Sequence, residues 1–223
     1  MRFTTSLLCL ALSLPAWGAP SAQALDTLRV DVATAAQQVT AAARAEVYAQ
    51  EAFSARNGIL RFDDAMGPAA LVTQRILDGA DTLDTRVALI DALRRIPGTQ
   101  WHPWMSTLSQ HADDAELRAA ATEQLRYIDT EWSLPALVAT MKDPHPRVRE
   151  AAVRAAGRLS VSDAPIDELI TCLGDADDAV AGFAARSLGW LQVPQAREGI
   201  EALLKRDNER TRRDAQNALN RLR

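Results

Sequence analysis

The sequence predicts an all-α protein: a right-handed solenoid of about five helix pairs with a capping helix at its N-terminal end. Three observations carry this. The C-terminal half repeats itself every 31 to 32 residues, and a period of that length is the mark of stacked supersecondary units. Within each unit the apolar residues recur at helical spacing. Aromatic residues make up 5% of the chain while alanine is abundant, a composition suited to closely packed helices.

The first residues read as an export signal. Arg2 precedes the apolar run Leu7–Leu14, and small residues follow. That run is far shorter than the ~20 residues a membrane-spanning helix needs, as is every later apolar stretch. Two cuts satisfy a small-x-small rule, after Ala24 and after Ala19, and the first is preferred because the second leaves Pro20 at the new terminus. A signal peptide over 1–24 is therefore expected. Cys9 lies inside the apolar core after Leu8, unlike the Leu-x-Gly/Ala-Cys of a lipidation signal, so a soluble periplasmic protein is expected. Cleavage removes Arg2 and no acid, leaving 24 basic against 29 acidic residues. It also leaves Cys172 alone, so packing rather than a disulfide must hold the fold.

Residues 25–60 are expected to hold a helix from Thr27 to about Ser54, marked by Leu28, Val30, Val32, Ala35, Val39, Ala43 and Val47 and ending near Asn57-Gly58. It caps the solenoid or swings free. Residues 61–223 form the repeat domain, in units of about 69–96, 101–128, 134–159, 165–191 and 197–222. The second helix of each unit carries an apolar stripe: Thr85, Leu89, Leu93, Ile96; Leu117, Ala121, Leu125, Ile128; Val148, Ala152, Ala156, Leu159; Val180, Ala184, Leu188, Leu191; and Thr211, Ala215, Leu219, Leu222. Shorter apolar helices precede them, over 69–77, 103–109, 134–141, 166–173 and 197–204. Asp143-Pro144, Asp175 and Asp207-Asn208 fall at the joints, where short side chains satisfy the free amides of a helix start. Pro135, Pro165 and Pro194 are expected to mark the returns between units.

The run Asp143, Arg147-Val148-Arg149, Ala151, Ala152, Gly157 and Leu159 resembles the HEAT repeat, in particular the short HEAT-like type also seen in phycobilisome lyases. The resemblance is fullest over 134–192 and extends over 101–128 and 197–222. In the last unit Thr211 stands in the apolar position, followed by Arg212 and Arg213, as a polar cap on the open end of a solenoid would be.

In such folds the second helices line the concave surface, so residues in common register there are candidates for binding. Six positions after each stripe starts stand Glu123, Arg154, Arg186 and Asn217, and ten positions after it stand Tyr127, Arg158, Trp190 and Arg221. The two rows lie one helical turn apart. Arginine forks match carboxylates and stack on aromatic rings, so this groove suits an acidic or extended peptide. The alternative is a solvated face whose long stems cover apolar neighbours.

Trp101, Trp104 and Trp132 form a second cluster, either core filling or a secondary recognition patch. His102, His111 and His145 lack ligand spacing, so no metal is expected. Cys172 shares its register with Met141 and Leu203 and reads as an apolar filler. The acid pairs Asp63-Asp64, Asp113-Asp114 and Asp177-Asp178 look structural, two of them at inter-helix turns. No phosphate loop, nucleophile elbow or zinc-peptidase signature is present, and no cofactor is implied.

The 205–223 tail is locally basic, but export and overall acidity argue against nucleic acid as a partner. The expected role is an exported scaffold for protein–protein interaction or assembly in the bacterial cell envelope, not an enzyme. It binds an acidic or extended segment, or serves as a rigid spacer in a larger envelope complex. What the resemblance implies as an alternative is a lyase or chaperone acting on a tetrapyrrole-carrying or other client.

Overall fold

The structure, a computed structural model, describes residues 22–37 and 66–222. Residues 1–21 of the expected signal segment, the expected continuation of the first helix past Gln37 with Val39, Ala43 and Val47, the Asn57-Gly58 end and Asp63-Asp64 lie outside the described residues, whereas α1 already begins at Ala22, before the expected cut.

Eleven α-helices and no strand are present among the described residues. α1 (Ala22–Gln37) comes first. Five pairs follow: α2 (Met66–Asp78) with α3 (Leu83–Arg94), α4 (His102–His111) with α5 (Ala115–Gln124), α6 (Thr130–Thr140) with α7 (Pro146–Ala156), α8 (Ile166–Thr171) with α9 (Asp178–Trp190), and α10 (Arg197–Leu203) with α11 (Glu209–Arg221). The second helices pack in sequence, α3 on α5, α5 on α7, α7 on α9 and α9 on α11. α1 packs on α2 and α4 through Leu28, Val32 and Ala36, with Leu25 buried one turn earlier. Val30 falls on the opposite side and is 65% exposed, so it is no part of the stripe expected of it.

In the five repeat units every stripe residue read from the sequence is buried or half-buried, on its helix or just past its end. The apolar ones other than Val148 join one continuous core that runs from Leu28 to Leu219, and Val148 packs with Ala119 and Ala151 in a small cluster of its own. Each fully buried Leu or Val contributes roughly 1.5–3 kcal/mol, and packing holds the fold with Cys172 buried and free among the described residues.

The joints work differently from the expectation. Asp143 and Asp175 do not cap their helices. Each accepts the amide two residues on (from His145 and Asp177, 2.8 Å in both cases), and the caps proper are His145, Asp177 and Asn208. Each carboxylate also accepts, through both its oxygens, a bidentate arginine from the preceding unit. Arg118 reaches Asp143 at 2.8 and 3.2 Å, and Arg149 reaches Asp175 at 2.8 and 2.9 Å. Each arginine also donates to carbonyls of its own turn, Ala112 for Arg118 and Asp143 and Pro144 for Arg149. Arg86 to Asp113 repeats the link one unit earlier. In the fourth unit Ala181 stands where the arginine should be, and Arg206 of the last unit reaches back instead to Asp178 and the Asp175 carbonyl.

Two further expectations change. Pro135 lies inside α6, which starts at Thr130, so it marks no return. Pro165 caps α8, and Pro194 opens a 3-10 turn before α10. Thr211 is no outward polar cap. It is buried, and its hydroxyl donates to the Asp178 carbonyl at 2.9 Å, tying α11 to the start of α9.

Candidate functional site

The last three second helices enclose a groove of about 900 Å³, walled by Glu150, Arg154, Arg158, Phe183, Arg186, Trp190 and Arg210. α9 sits between α7 and α11 because its inward face is small. Gly157 lies against Ser187, whose hydroxyl donates to the Val153 carbonyl at 3.0 Å, and Gly189 lies against Ala218. Side chains on the other face of these closely spaced helices therefore meet.

Phe183 is the centre of the groove. Guanidinium carbons of Arg186, Arg154 and Arg210 stand 4.9, 5.3 and 5.3 Å from its ring centroid. A guanidinium stacked on a ring keeps its N–H edges free for an acceptor. Arg154 has already used part of its edge on Glu123 (3.0 Å) and Glu150 (3.6 Å), and Arg186 stands 3.9 Å from Asp214. Arg158 and Arg210 are exposed and make no ion pair among the described residues. With Arg221, five guanidiniums face three carboxylates, a net positive groove.

The second row follows the groove's edge. Trp190 is 62% exposed, with Arg221 4.2 Å from its ring centroid. Arg221 is steadied by the Asn217 carbonyl at 3.3 Å. Tyr127 is 51% exposed, lies 4.5 and 4.7 Å from the guanidiniums of Arg126 and Arg94, and accepts a hydrogen bond from Arg126 at 2.8 Å. That hydrogen bond, with the positive field of Arg126, Arg94 and Arg158, pulls its hydroxyl below the usual tyrosine value. All eight ladder positions thus lie on or beside one face. The stacking expected between a partner and the aromatic rings is in part made within the chain, by Arg221 on Trp190 and by Arg94 and Arg126 on Tyr127.

Sequence reading missed Phe183, Glu150 and Arg210. The signal for Phe183 was present: three positions after the stripe start, the other units carry Ala88, Ala120, Ala151 and Asp214. A ring in that row is the exception. Arg210 precedes its stripe and was read only as part of a basic tail. Much of that tail is structural, since Arg206 and Arg212 clamp turns.

Other candidates fall away. Trp101 and Trp104 are buried, Trp101 donating its indole N–H to the Ile96 carbonyl at 3.1 Å, so they are core and no recognition patch. Trp132 is half-buried against the same core. Cys172 is buried beside Leu173, and burial, aided by the charge of Asp175, pushes its thiol up to about 11, which keeps it un-ionised at neutral pH. Burial lowers His111, whose Nδ1 has no partner. Asp114 and Asp177 cap α5 and α9. Among the described residues no group of His, Cys, Asp and Glu could hold a metal ion, and no helix is long and apolar enough to cross a membrane.

The comparisons with known proteins follow the same lines. No curated protein matches the chain. Two crystal structures of engineered proteins resemble it, one 19% identical over 91% of this chain and 93% of its own at a TM-score of 0.48, the other 16% identical over 91% and 92% at 0.45. The family model for HEAT repeats matches residues 102–165 and 134–220, more than half the chain and every helix that builds the groove. The chain belongs to the HEAT-repeat family, a repeat scaffold of the kind that mediates protein interaction.

Proposed function

We propose that this protein is an exported scaffold of the cell envelope that takes an acidic or extended segment of a protein partner in the groove between α7, α9 and α11. The observation that carries the reading is Phe183 under three guanidiniums, with Arg158 and Arg210 exposed and making no ion pair among the described residues. Carboxylates entering there exchange one solvated ion for several preplaced donors, and the exposed Trp190 supplies apolar contact at the edge.

The test uses the mature protein with a labelled Asp/Glu-rich peptide. Arg158→Glu/Arg210→Glu leaves the Arg154 pairs in place, so it folds as the parent does by circular dichroism. Its affinity drops at least about tenfold, ~1.4 kcal/mol, and wild-type binding weakens with salt. Unchanged affinity in the double variant removes the groove as the site.

Export is read from the sequence alone: Arg2, the apolar run Leu7–Leu14 and the small-x-small residues that end at Ala24. The protein recovered from the periplasm of an expressing cell then has an intact mass that starts at Leu25. Retention of the uncut chain in the cytoplasm would end the export reading.

A further inference from the structure

Ten positions after each stripe start, the five units carry Arg95, Tyr127, Arg158, Trp190 and Arg221. Cation and ring alternate without exception along one edge of the repeat. Tyr127 and Trp190 are also the two aromatic side chains that are largely exposed among the described residues. Arg221 covers one side of Trp190, which leaves the indole more than half open. Arg95 is drawn in at one end by Asp91 at 2.7 Å, whereas Arg158 in the middle is exposed and makes no ion pair among the described residues.

The spacing of this row is set by helix packing. Neighbouring helices stand about 8–10 Å apart, and the Gly157–Ser187 and Gly189–Ala218 contacts hold α7, α9 and α11 at close range. A polyproline II segment has three residues per turn at about 3.1 Å each, so every third residue faces the same way about 9 Å further on. A flat β-strand does not match, because its third residue points to the opposite face. Exposed aromatic rings are the surfaces on which polyproline II segments dock.

We propose that this edge reads a polyproline II segment of the partner in which acidic and proline residues alternate at every third position, acids on Arg95, Arg158 and Arg221 and prolines on Tyr127 and Trp190. The proposal rests on the reading above that the groove face binds an acidic, extended segment, and it adds the conformation and the period.

Two labelled peptides of identical composition test it on the full mature chain. One repeats Glu-Ala-Pro-Pro-Ala-Pro, which places Glu and Pro alternately at every third position. The other holds the same residues in shuffled order. The ordered peptide binds about tenfold more tightly, ~1.4 kcal/mol, and Trp190→Ala or Tyr127→Ala brings it down to the level of the shuffled one. Equal affinities, or a preference that survives both substitutions, overturn the period while leaving the acid-binding groove standing. Binding of neither peptide, together with an Asp/Glu-rich peptide insensitive to Arg158→Glu/Arg210→Glu, overturns both readings. Tighter binding of an oligothymidylate or of polygalacturonate than of the ordered peptide assigns the edge to a polyanion and overturns the proposal.

Discussion

Asp175→Asn lowers the unfolding free energy at neutral pH by about 3 kcal/mol, a large share of the ~5–15 kcal/mol of an ordinary domain. The asparagine keeps the acceptor for the Asp177 amide but leaves the Arg149 guanidinium, 17% exposed, without its carboxylate. Burial opposes ionisation of Asp175, but the Arg149 hydrogen bonds, the Asp177 amide and the field of Arg206 outweigh it and hold the carboxyl below its ordinary value. A depressed folded pKa means the ionised form is favoured in the folded state. Its contribution is complete above the unfolded value of about 3.9 and is lost as pH falls through the lower folded value. Urea unfolding of parent and variant at neutral pH and at stepwise lower pH checks this. The gap between them closes as the pH falls through the folded pKa. A gap of equal size at both ends would show that the charge of Asp175 is not what holds the units together.

Gly189→Ala destabilises by about 1–3 kcal/mol, although alanine is the better helix former. A methyl there sits 2.8 Å from the Ala218 Cα and 2.9 Å from its Cβ. Backbone rather than a flexible side chain is in the way, so α9 and α11 must separate. The melting temperature falls by several degrees, at about 2–4 °C per kcal/mol for a chain of this size. Gly174→Ala is the control: nothing lies within 4 Å of its new methyl, and the melting temperature holds or rises slightly. Equal behaviour of the two variants in a thermal melt would refute the close approach. Because Trp190 and Arg221 end the same two helices, Gly189→Ala also parts that stack, which the fluorescence of the indole reports.

The repeat register was legible from the sequence because helix burial is periodic. Val148, Ala152, Ala156 and Leu159 and their counterparts needed only the helical spacing to be found. The ladders were legible for the same reason, since residues equally placed in equal units must share a face. Pro135 misled because α6 starts five residues before it and carries the proline in its interior, where proline is ordinarily a helix breaker, and spacing does not show where α6 begins. Asp143 and Asp175 were rightly placed at joints. Their partners were not readable, as Arg118 and Arg149 lie about one repeat away and their reach depends on how adjacent units stack. Thr211 looked like a solvent-facing cap until its hydroxyl met the Asp178 carbonyl.

The sequence by itself determined the fold family, the helix pairing and the faces on which charged and aromatic residues would stand, because those follow from local periodicity repeated along the chain. Only the tertiary structure decided which of those residues act together. Phe183 became the centre of the groove, Arg154 was partly neutralised by Glu123 and Glu150, and Trp101 and Trp104 went inside. The groove around Phe183 depends on the close approach of helices at Gly157 and Gly189, a distance set by side chains from different units and therefore absent from any one stretch of sequence.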